Sequence, residues 1–249
     1  MAHYTLILAA GLGARLKSEI PKQFLELNSI PIFMHSIITF HNANPKSKIF
    51  LALPLEFNGD FFEELCRSYN IDDYPFSVYF GGNTRGETVL KGLQHIHKRN
   101  TLSELDLVSI HDAARPFIKP DFILKLIKAA KQYGSAVPFI RIKNSLRKLD
   151  TKSNLKSSSC SREDYVMTQT PQVFHFTKIF SSYEYLANLK KNNTLRVGFA
   201  DFFDDASVFE LFHQTAPFLV EGEEDNIKIT TQIDYFLSDR MYEFFKKTK

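Results

Sequence analysis

From residue 4 to residue 134 the chain alternates short apolar runs with amphipathic segments. Each apolar run has the length and composition of a buried strand, and a segment with helical spacing of its apolar residues follows it. The runs are 4–10, 48–54, 76–82 and 105–110, and the helical segments are 32–42, 57–70, 83–99 and 121–134. Apolar strands alternating with helices predict an α/β protein whose mostly parallel, twisted sheet is covered by helices on both faces.

Three polar turns directly follow predicted strands. They are "AAGLGAR" (9–15), "GGNTRGET" (81–88) and "HDAARP" (111–116). In a Rossmann-like sheet of this kind, ligands bind beyond the carboxyl ends of the strands. We therefore expect these three turns to meet at one edge of the sheet and to form the functional site there.

The pattern changes after residue 140, where a polar, serine-rich stretch follows. It has the composition of a linker, but "NSLRKLD" (144–150) and "DYVMTQT" (164–170) flank its serines as two strands of a hairpin would. We expect a projecting β-arm over 140–165 with a mobile tip. Helical segments, a strand at 217–222 and a helix over 232–246 follow. The whole chain, 1–249, is predicted to be one domain.

Composition excludes several classes of function. Hydrophobic residues make up 44% and charged residues 24% of the 249 residues, which is ordinary for a soluble protein. The formal net charge of +3 lacks the concentrated basic face of a nucleic-acid binder. No apolar run approaches the roughly 20 residues that cross a bilayer. Two cysteines without metal-ligand spacing and no evident signal peptide predict a cytoplasmic protein.

The first turn has the features of a phosphate cradle. Gly11 and Gly13 permit successive backbone N–H groups to face an anion, and Arg15 and Lys22 can neutralise a triphosphate. The turn matches neither the P-loop pattern nor G-x-G-x-x-G, because Leu16 occupies the third glycine position. A plain strand-to-helix turn with two solvated cations is the alternative interpretation.

The other two turns suit the rest of a nucleotide. Asp112 is a candidate Mg²⁺ ligand beside phosphates, and an ion pair with Arg115 that braces the turn is the alternative interpretation. Gly82 and Thr88 can lie against a base or ribose, and Arg85 can be a phosphate-binding or structural cation. The alternative for this turn is a tight bend that ends in a helix N-cap at Asn83.

Taken together, six stretches resemble the 2-C-methyl-D-erythritol 4-phosphate cytidylyltransferase family. They are "LILAAGLGARL…IPKQF", "GGNTRGETVLKGL", "HDAARPFI", "TQTPQVF", "DDAS" and "VEGEEDNIKITT", and they occur in the family's order between about residues 4 and 245. The resemblance implies that CTP reacts with methylerythritol phosphate, with Mg²⁺, to give the CDP-linked product and pyrophosphate in non-mevalonate isoprenoid synthesis.

The resemblance also implies residue roles. The catalytic cations would be Arg15, Lys22 and Lys228. The nucleotide-binding residues would be Ala9, Ala10, Gly11, Gly13, Gly82 and Thr88. The residues on the side of the polyol phosphate would be Asp112, Arg115, Ser145, Arg162 and Thr170, with Asp112 also the Mg²⁺ ligand. The family is a homodimer in which the arm brings residues of the Ser145 and Arg162 type to the neighbouring subunit's site.

Three positions depart from the family pattern. Ala14 stands where many members have a second arginine, Ser145 replaces a threonine, and Phe203 replaces a threonine of the polyol-phosphate pocket. The sequence therefore constrains the identity of the polyol-phosphate substrate less than the identity of the nucleotide. A ribitol 5-phosphate or other alditol phosphate cytidylyltransferase is one alternative, and a non-catalytic nucleotide-binding module is another.

Overall fold

The computed structural model describes residues 1–11, 21–55, 59–69, 74–150, 156–191, 202 and 204–247. The strands are β1 (His3–Leu8), β2 (Glu26–Leu27), β3 (Ile30–Pro31), β4 (Lys48–Leu53), β5 (Phe76–Phe80), β6 (Leu107–Asp112), β7 (Ser135–Arg141), β8 (Leu146–Leu149), β9 (Ser157–Cys160), β10 (Val166–Thr168), β11 (Gln172–His175) and β12 (Leu219–Glu221). The helices are α1 (Ile32–Ala43), α2 (Gly59–Ser68), α3 (Arg85–Arg99), α4 (Pro120–Tyr133), α5 (Phe176–Lys191), α6 (Asp205–His213) and α7 (Gln232–Lys247).

The main sheet has the strand order β10-β7-β11-β6-β1-β4-β5, and β12 also pairs with β7. The pairs β1–β4, β1–β6, β4–β5 and β7–β12 are parallel, whereas β11 and β10 run antiparallel to their neighbours. The predicted mostly parallel α/β sheet is confirmed.

Helices cover both faces of the sheet because its central strands are apolar on both sides. Successive residues of a strand point to opposite faces. In β1, Ile7 packs into a core cluster with residues of α1 and α4, and Leu6 packs into a second cluster with residues of α3 and α5. Both side chains are completely buried.

The ends of several helices follow sequence signals. Gly134 closes α4 with a φ of +85°, and the side chain of Asp204 caps α6 by accepting from the Ser207 amide at 3.0 Å. The cap of α3 differs from the prediction. Thr84, not Asn83, is the N-cap, because the Thr84 hydroxyl accepts from the Glu87 amide at 3.1 Å.

The serine-rich region forms an antiparallel pair, but with a different partner from the one predicted. Strand β8 pairs with β9, which is the serine run itself, while β10 joins β7 in the main sheet. The hairpin is therefore shorter than predicted and lies between residues 146 and 160. Residues 151–155, where the tip of the arm was expected, lie outside the described residues.

None of the helices within the described part of the chain combines the length and the apolarity needed to span a membrane.

Candidate active site

A cavity of about 630 Å³ opens at the carboxyl ends of β1 and β6, where the sequence predicted that the polar turns meet. Its lining includes the backbone after β1 (Ala9–Gly11), the turn before α3 (Gly82–Arg85) and the side chains of Lys22, Asp112 and Lys228. Residues far apart in the chain thus form one polar hollow, as expected for a ligand site in this kind of sheet.

The wall at α3 is fixed by close packing and by a network of hydrogen bonds. A Cβ on Gly81 would lie 2.4 Å from the Cβ of Ala10, so only glycine permits this approach of the two turns. The hydroxyl of Thr88 is buried, accepts from the Gly82 amide at 3.0 Å and donates to the Thr84 carbonyl at 2.9 Å. The predicted nucleotide-binding residues Gly82 and Thr88 therefore hold a rigid edge of the cavity.

Asp112 is the centre of charge in the cavity. Lys228 Nζ donates to its Oδ2 at 2.5 Å, and Arg85 Nε donates to its Oδ1 at 3.1 Å. The other end of Arg85 forms a bidentate pair with Asp205, at 3.0 and 2.8 Å. Asp205 is completely buried and also accepts from the hydroxyl of Tyr183 at 2.6 Å.

This arrangement keeps Asp112 ionised. Burial alone would raise the pKa of its carboxyl, but the positive charges of Arg85 and Lys228 outweigh burial and hold that pKa well below its usual range. The neighbouring Asp205 and Asp112 in turn raise the pKa of Arg85 against the opposing effect of its own burial. Among the described lining residues Asp112 is the acidic one, so a cation that enters the cavity meets this carboxylate.

Lys22 reaches the cavity from a 3₁₀ turn, Lys22–Phe24. Its Nζ donates to the carbonyl of Ile229 at 2.9 Å. Ile229 adjoins Lys228, and its amide bonds to the Ala114 carbonyl at 2.8 Å. The structure therefore brings two of the three predicted catalytic cations, Lys22 and Lys228, to one rim.

Two further predicted residues support the turn after β6. Arg115 closes this turn with a backbone bond to the Asp112 carbonyl at 3.0 Å, and its Nη1 donates to the Asn226 carbonyl at 2.7 Å. The buried hydroxyl of Thr170 accepts from the Asp112 amide at 3.1 Å. The alternative interpretation of Asp112, an ion pair with Arg115, is wrong. Asp112 forms its ion pairs with Arg85 and Lys228.

His111 has a structural role. The ring is completely buried, with Nε2 3.1 Å from the Arg115 carbonyl and Nδ1 3.2 Å from the Thr170 hydroxyl. Burial lowers the pKa of His111 to about 4, so the ring stays neutral near pH 7.

The arm residues do not line this cavity. Ser145 is exposed, and Arg162 donates from Nη1 to the Lys143 carbonyl at 2.7 Å and pairs with Glu163 at 3.4 Å. Gly13, Arg15, Ala14 and Phe203, on which other predictions rest, lie outside the described residues.

Sequence reasoning missed three functional supports: Gln23, Tyr183 and Asp205. Gln23 lies within the motif "IPKQF", but the spacing of residues does not predict its two hydrogen bonds to the Ala9 and Gly11 carbonyls. Asp205 lies in the motif "DDAS". Its buried ion pair joins residues 120 positions apart, which no local pattern signals.

The topology and the chemistry together define a class. A mostly parallel sheet carries a glycine turn at its carboxyl edge, where an arginine and a lysine pair with one ionised aspartate and a second lysine lines the same cavity. This combination defines an α/β nucleotidyltransferase.

The family model described as IspD, 2-C-methyl-D-erythritol 4-phosphate cytidylyltransferase, matches residues 4–243. The chain therefore belongs to the 2-C-methyl-D-erythritol 4-phosphate cytidylyltransferase family. A relative of that name from Bacteroides fragilis is 36% identical over 235 residues, which cover 94% of this chain and 96% of the relative. Another, from Clostridium botulinum, is 32% identical over 238 residues, which cover 96% of each.

Solved structures agree with this membership. The 2-C-methyl-D-erythritol 4-phosphate cytidylyltransferase of Francisella tularensis superposes with a TM-score of 0.71 at 27% identity, over 96% of this chain and 99% of that one. The 4-diphosphocytidyl-2C-methyl-D-erythritol synthase of Anaerococcus prevotii gives a TM-score of 0.76 at 24% identity, over 97% and 98%. The second likeness is evidence for the fold alone.

Proposed function

We propose that this chain transfers the cytidylyl group of CTP to 2-C-methyl-D-erythritol 4-phosphate and releases pyrophosphate, a step of non-mevalonate isoprenoid synthesis. Family membership supports the substrates, and the convergence of Lys22, Lys228 and Asp112 on one cavity is the observation that carries the chemistry. The backbone of Ala9–Gly11 and the side chain of Lys22 line the cavity in which a triphosphate would lie.

The reaction is an in-line displacement at phosphorus. An oxygen of the acceptor phosphate bonds to the α-phosphorus of CTP, the bond from that phosphorus to the bridging oxygen breaks, and pyrophosphate leaves with the electron pair. A phosphate monoester is already largely a dianion near pH 7, so the site needs no strong general base. Placement and relief of charge repulsion are what the residues must supply.

Each cation has a place in that scheme. Lys22, adjacent in space to the Ile229 carbonyl, brings positive charge to the rim, and Arg15 would add a second charge from the same loop. Lys228 neutralises Asp112, and its side chain remains 36% exposed, so the charge stays accessible from the cavity. Backbone groups of Ala9, Ala10, Gly11 and Gly82 would cradle the nucleotide.

Mg²⁺ fits the donor set of the cavity. The ion prefers one or two carboxylates and takes its remaining ligands from phosphates and water, which suits a single ionised aspartate beside a triphosphate site. The described residues contain no group of three or more metal-binding side chains, so substrate oxygens would have to complete the shell. Asp112 would hold the ion, which would neutralise phosphate charge.

The acceptor side would be completed by a second subunit. Ser145 and Arg162 lie on the arm and not in the cavity of their own chain, which favours a homodimer in which each arm serves the neighbouring site. Arg115 and Thr170 would hold Asp112 in position through their hydrogen bonds to its backbone. Cysteine usage, with Cys66 and Cys160 not joined in a disulfide, supports a cytoplasmic location.

Product formation tests the proposal. Purified protein with CTP, Mg²⁺ and methylerythritol phosphate should release pyrophosphate and form the CDP-linked product, observed by ³¹P NMR. Parallel reactions contain ribitol 5-phosphate or no acceptor. Faster turnover of ribitol 5-phosphate would reassign the substrate, and tight CTP binding without pyrophosphate release from any acceptor would favour a binding module.

A further inference from the structure

The 3₁₀ turn Lys22–Phe24 joins the core to two parts of the site through three successive side chains. Lys22 bonds to the Ile229 carbonyl, next to Lys228. Phe24 packs in the core against Phe33, with ring centroids 5.5 Å apart. Gln23, between them, turns to the backbone that follows β1. A single short turn is therefore anchored in the core while its other two side chains bond to two different segments of the chain at the cavity.

The amide of Gln23 uses both of its hydrogens on the cradle backbone. Its Nε2 donates to the Ala9 carbonyl at 2.6 Å and to the Gly11 carbonyl at 2.9 Å. Only 2% of the residue is exposed. Since Ala9 and Gly11 are two residues apart, these bonds fix the backbone of Ala9–Gly11 where it follows β1.

The bond to the Ala9 carbonyl also orients the peptide group between Ala9 and Ala10. A trans peptide is planar, and its N–H points opposite to its carbonyl. With the Ala9 carbonyl held by Gln23, the N–H of Ala10 is directed away from Gln23, and Ala10 lines the cavity. Backbone amides aimed at an anion are what a phosphate or base cradle requires.

We propose that Gln23 is a positioning residue for the nucleotide. It holds the backbone of Ala9–Gly11 in register with Lys22, so that the amides and the lysine engage the same ligand. This inference rests on the proposed function, because it takes CTP as the ligand of the cavity, and it adds a residue whose amide hydrogens are both donated to the backbone of the cradle.

Two variants of nearly unchanged size separate the hydrogen bonds from the volume of the side chain. Gln23→Glu replaces the donor by a carboxylate that repels both carbonyls, and Gln23→Met removes the donor without adding charge. We expect the KM for CTP to rise at least about tenfold in the glutamate variant and about three- to tenfold in the methionine variant. The KM for the acceptor and kcat at saturating CTP should stay within about threefold, because the acceptor side is built by other residues.

Calorimetric titration with CTP and Mg²⁺ gives a readout that does not require turnover. We expect the affinity for CTP to be highest in the wild type, lower in Gln23→Met and lowest in Gln23→Glu. Leu126→Ala, a completely buried position of α4 in the same core cluster as Phe24 but outside the cavity lining, controls for general loss of stability. That variant should melt at a lower temperature and bind CTP as the wild type does.

The two proposals fail in different ways. If the wild type binds CTP but does not turn over methylerythritol phosphate, the proposed acceptor is wrong and the calorimetric order still decides the role of Gln23. If folded Gln23→Met and Gln23→Glu bind CTP like the wild type, or Leu126→Ala reproduces their loss, the positioning role is overturned. A wild type that binds no CTP overturns both. Should the glutamate variant not fold, the methionine variant alone decides.

Discussion

The cavity and the arm hold their charged side chains in opposite ways. In the cavity, Asp112 is 8% exposed, and each of its carboxylate oxygens accepts from a different cation. In the arm, the side chain of Arg162 is 52% exposed and contacts the nearby Lys143 carbonyl and Glu163. The cavity is organised before any ligand arrives, whereas the arm presents solvated groups that would gain fixed partners at another surface.

The largest effect is expected from the cavity. Lys22→Ala removes a cation that the fold holds in place by the Ile229 carbonyl, and loss of one such charge-stabilising group costs about 10²–10³ in rate. We expect turnover to fall by at least that factor while the fold and part of the CTP affinity remain. Pyrophosphate release, circular dichroism and CTP titration measure the three quantities, and near-normal turnover would remove the catalytic role.

The arm should give a smaller effect that is confined to the acceptor. Arg162→Ala should lower kcat/KM for the polyol phosphate by about ten- to a hundredfold, the range for one lost hydrogen bond to a charged group. CTP affinity should not change. Lys148→Ala, which removes another exposed charge of the arm on β8, is the matched control and should leave both parameters unchanged. Equal losses in the two variants would mean that the arm acts through its overall charge.

A mixing experiment shows whether the arm serves its own cavity or a neighbour's. Lys22→Ala has an intact arm and Arg162→Ala an intact cavity, so in a mixed dimer one site combines both intact parts. Equal amounts, allowed to exchange subunits, should recover about a quarter of wild-type turnover if the dimer has two-fold symmetry. A mixture no more active than the average of its components would place each arm over its own cavity.

The same contrast explains how far the sequence could predict this molecule. The sheet and its helices were predictable to Gly134 because buried strands and amphipathic helices leave an apolar pattern with a definite period. In the arm, β8 and β9 are polar and mostly exposed, so no buried face fixes the register, and the partner of β8 was predicted wrongly. At the cavity, Lys22 and Asp112 were predictable from the chemistry of their motifs, and Lys228 only from the family resemblance. The ion pair of Arg85 with Asp205 was not, because tertiary packing alone brings α3 and α6 together.

His3 is buried at the end of β1 that lies away from the cavity. Its protonation at low pH therefore affects the stability of the fold and not the chemistry of the cavity. Burial, aided by the charge of Lys131, lowers the pKa of His3 to about 4, and the ring lies 2.8 Å from the hydroxyl of Ser109. The unfolded chain binds a proton near pH 6.5, but the folded chain resists protonation until about pH 4. Stability from this group is therefore complete above pH 6.5 and is lost as the pH falls toward 4.

The free energy of unfolding should fall by about 2 kcal/mol between pH 7 and pH 5 from His3 alone. His3→Gln should flatten this slope, whatever its effect on stability at pH 7. Urea titrations at both pH values measure the slope. Equal slopes in the two proteins would show that His3 does not bind its proton differently on folding.

The smallest effect is expected at the wall of the cavity at α3, where Asn83 was the predicted N-cap and Thr84 is the observed one. The Thr84 side chain accepts from the Glu87 amide, whereas Asn83 uses its backbone amide to reach Glu87 Oε2 at 3.0 Å. Thr84→Ala should therefore cost about 1 kcal/mol, typical of a lost cap, and lower Tm by about 2–4 °C. Asn83→Ala keeps its backbone amide and should leave Tm within about 1 °C of the wild type. Differential scanning calorimetry of both variants makes the comparison. The reverse order would restore Asn83 as the cap and mean that the hydroxyl of Thr84 faces the cavity and not the helix.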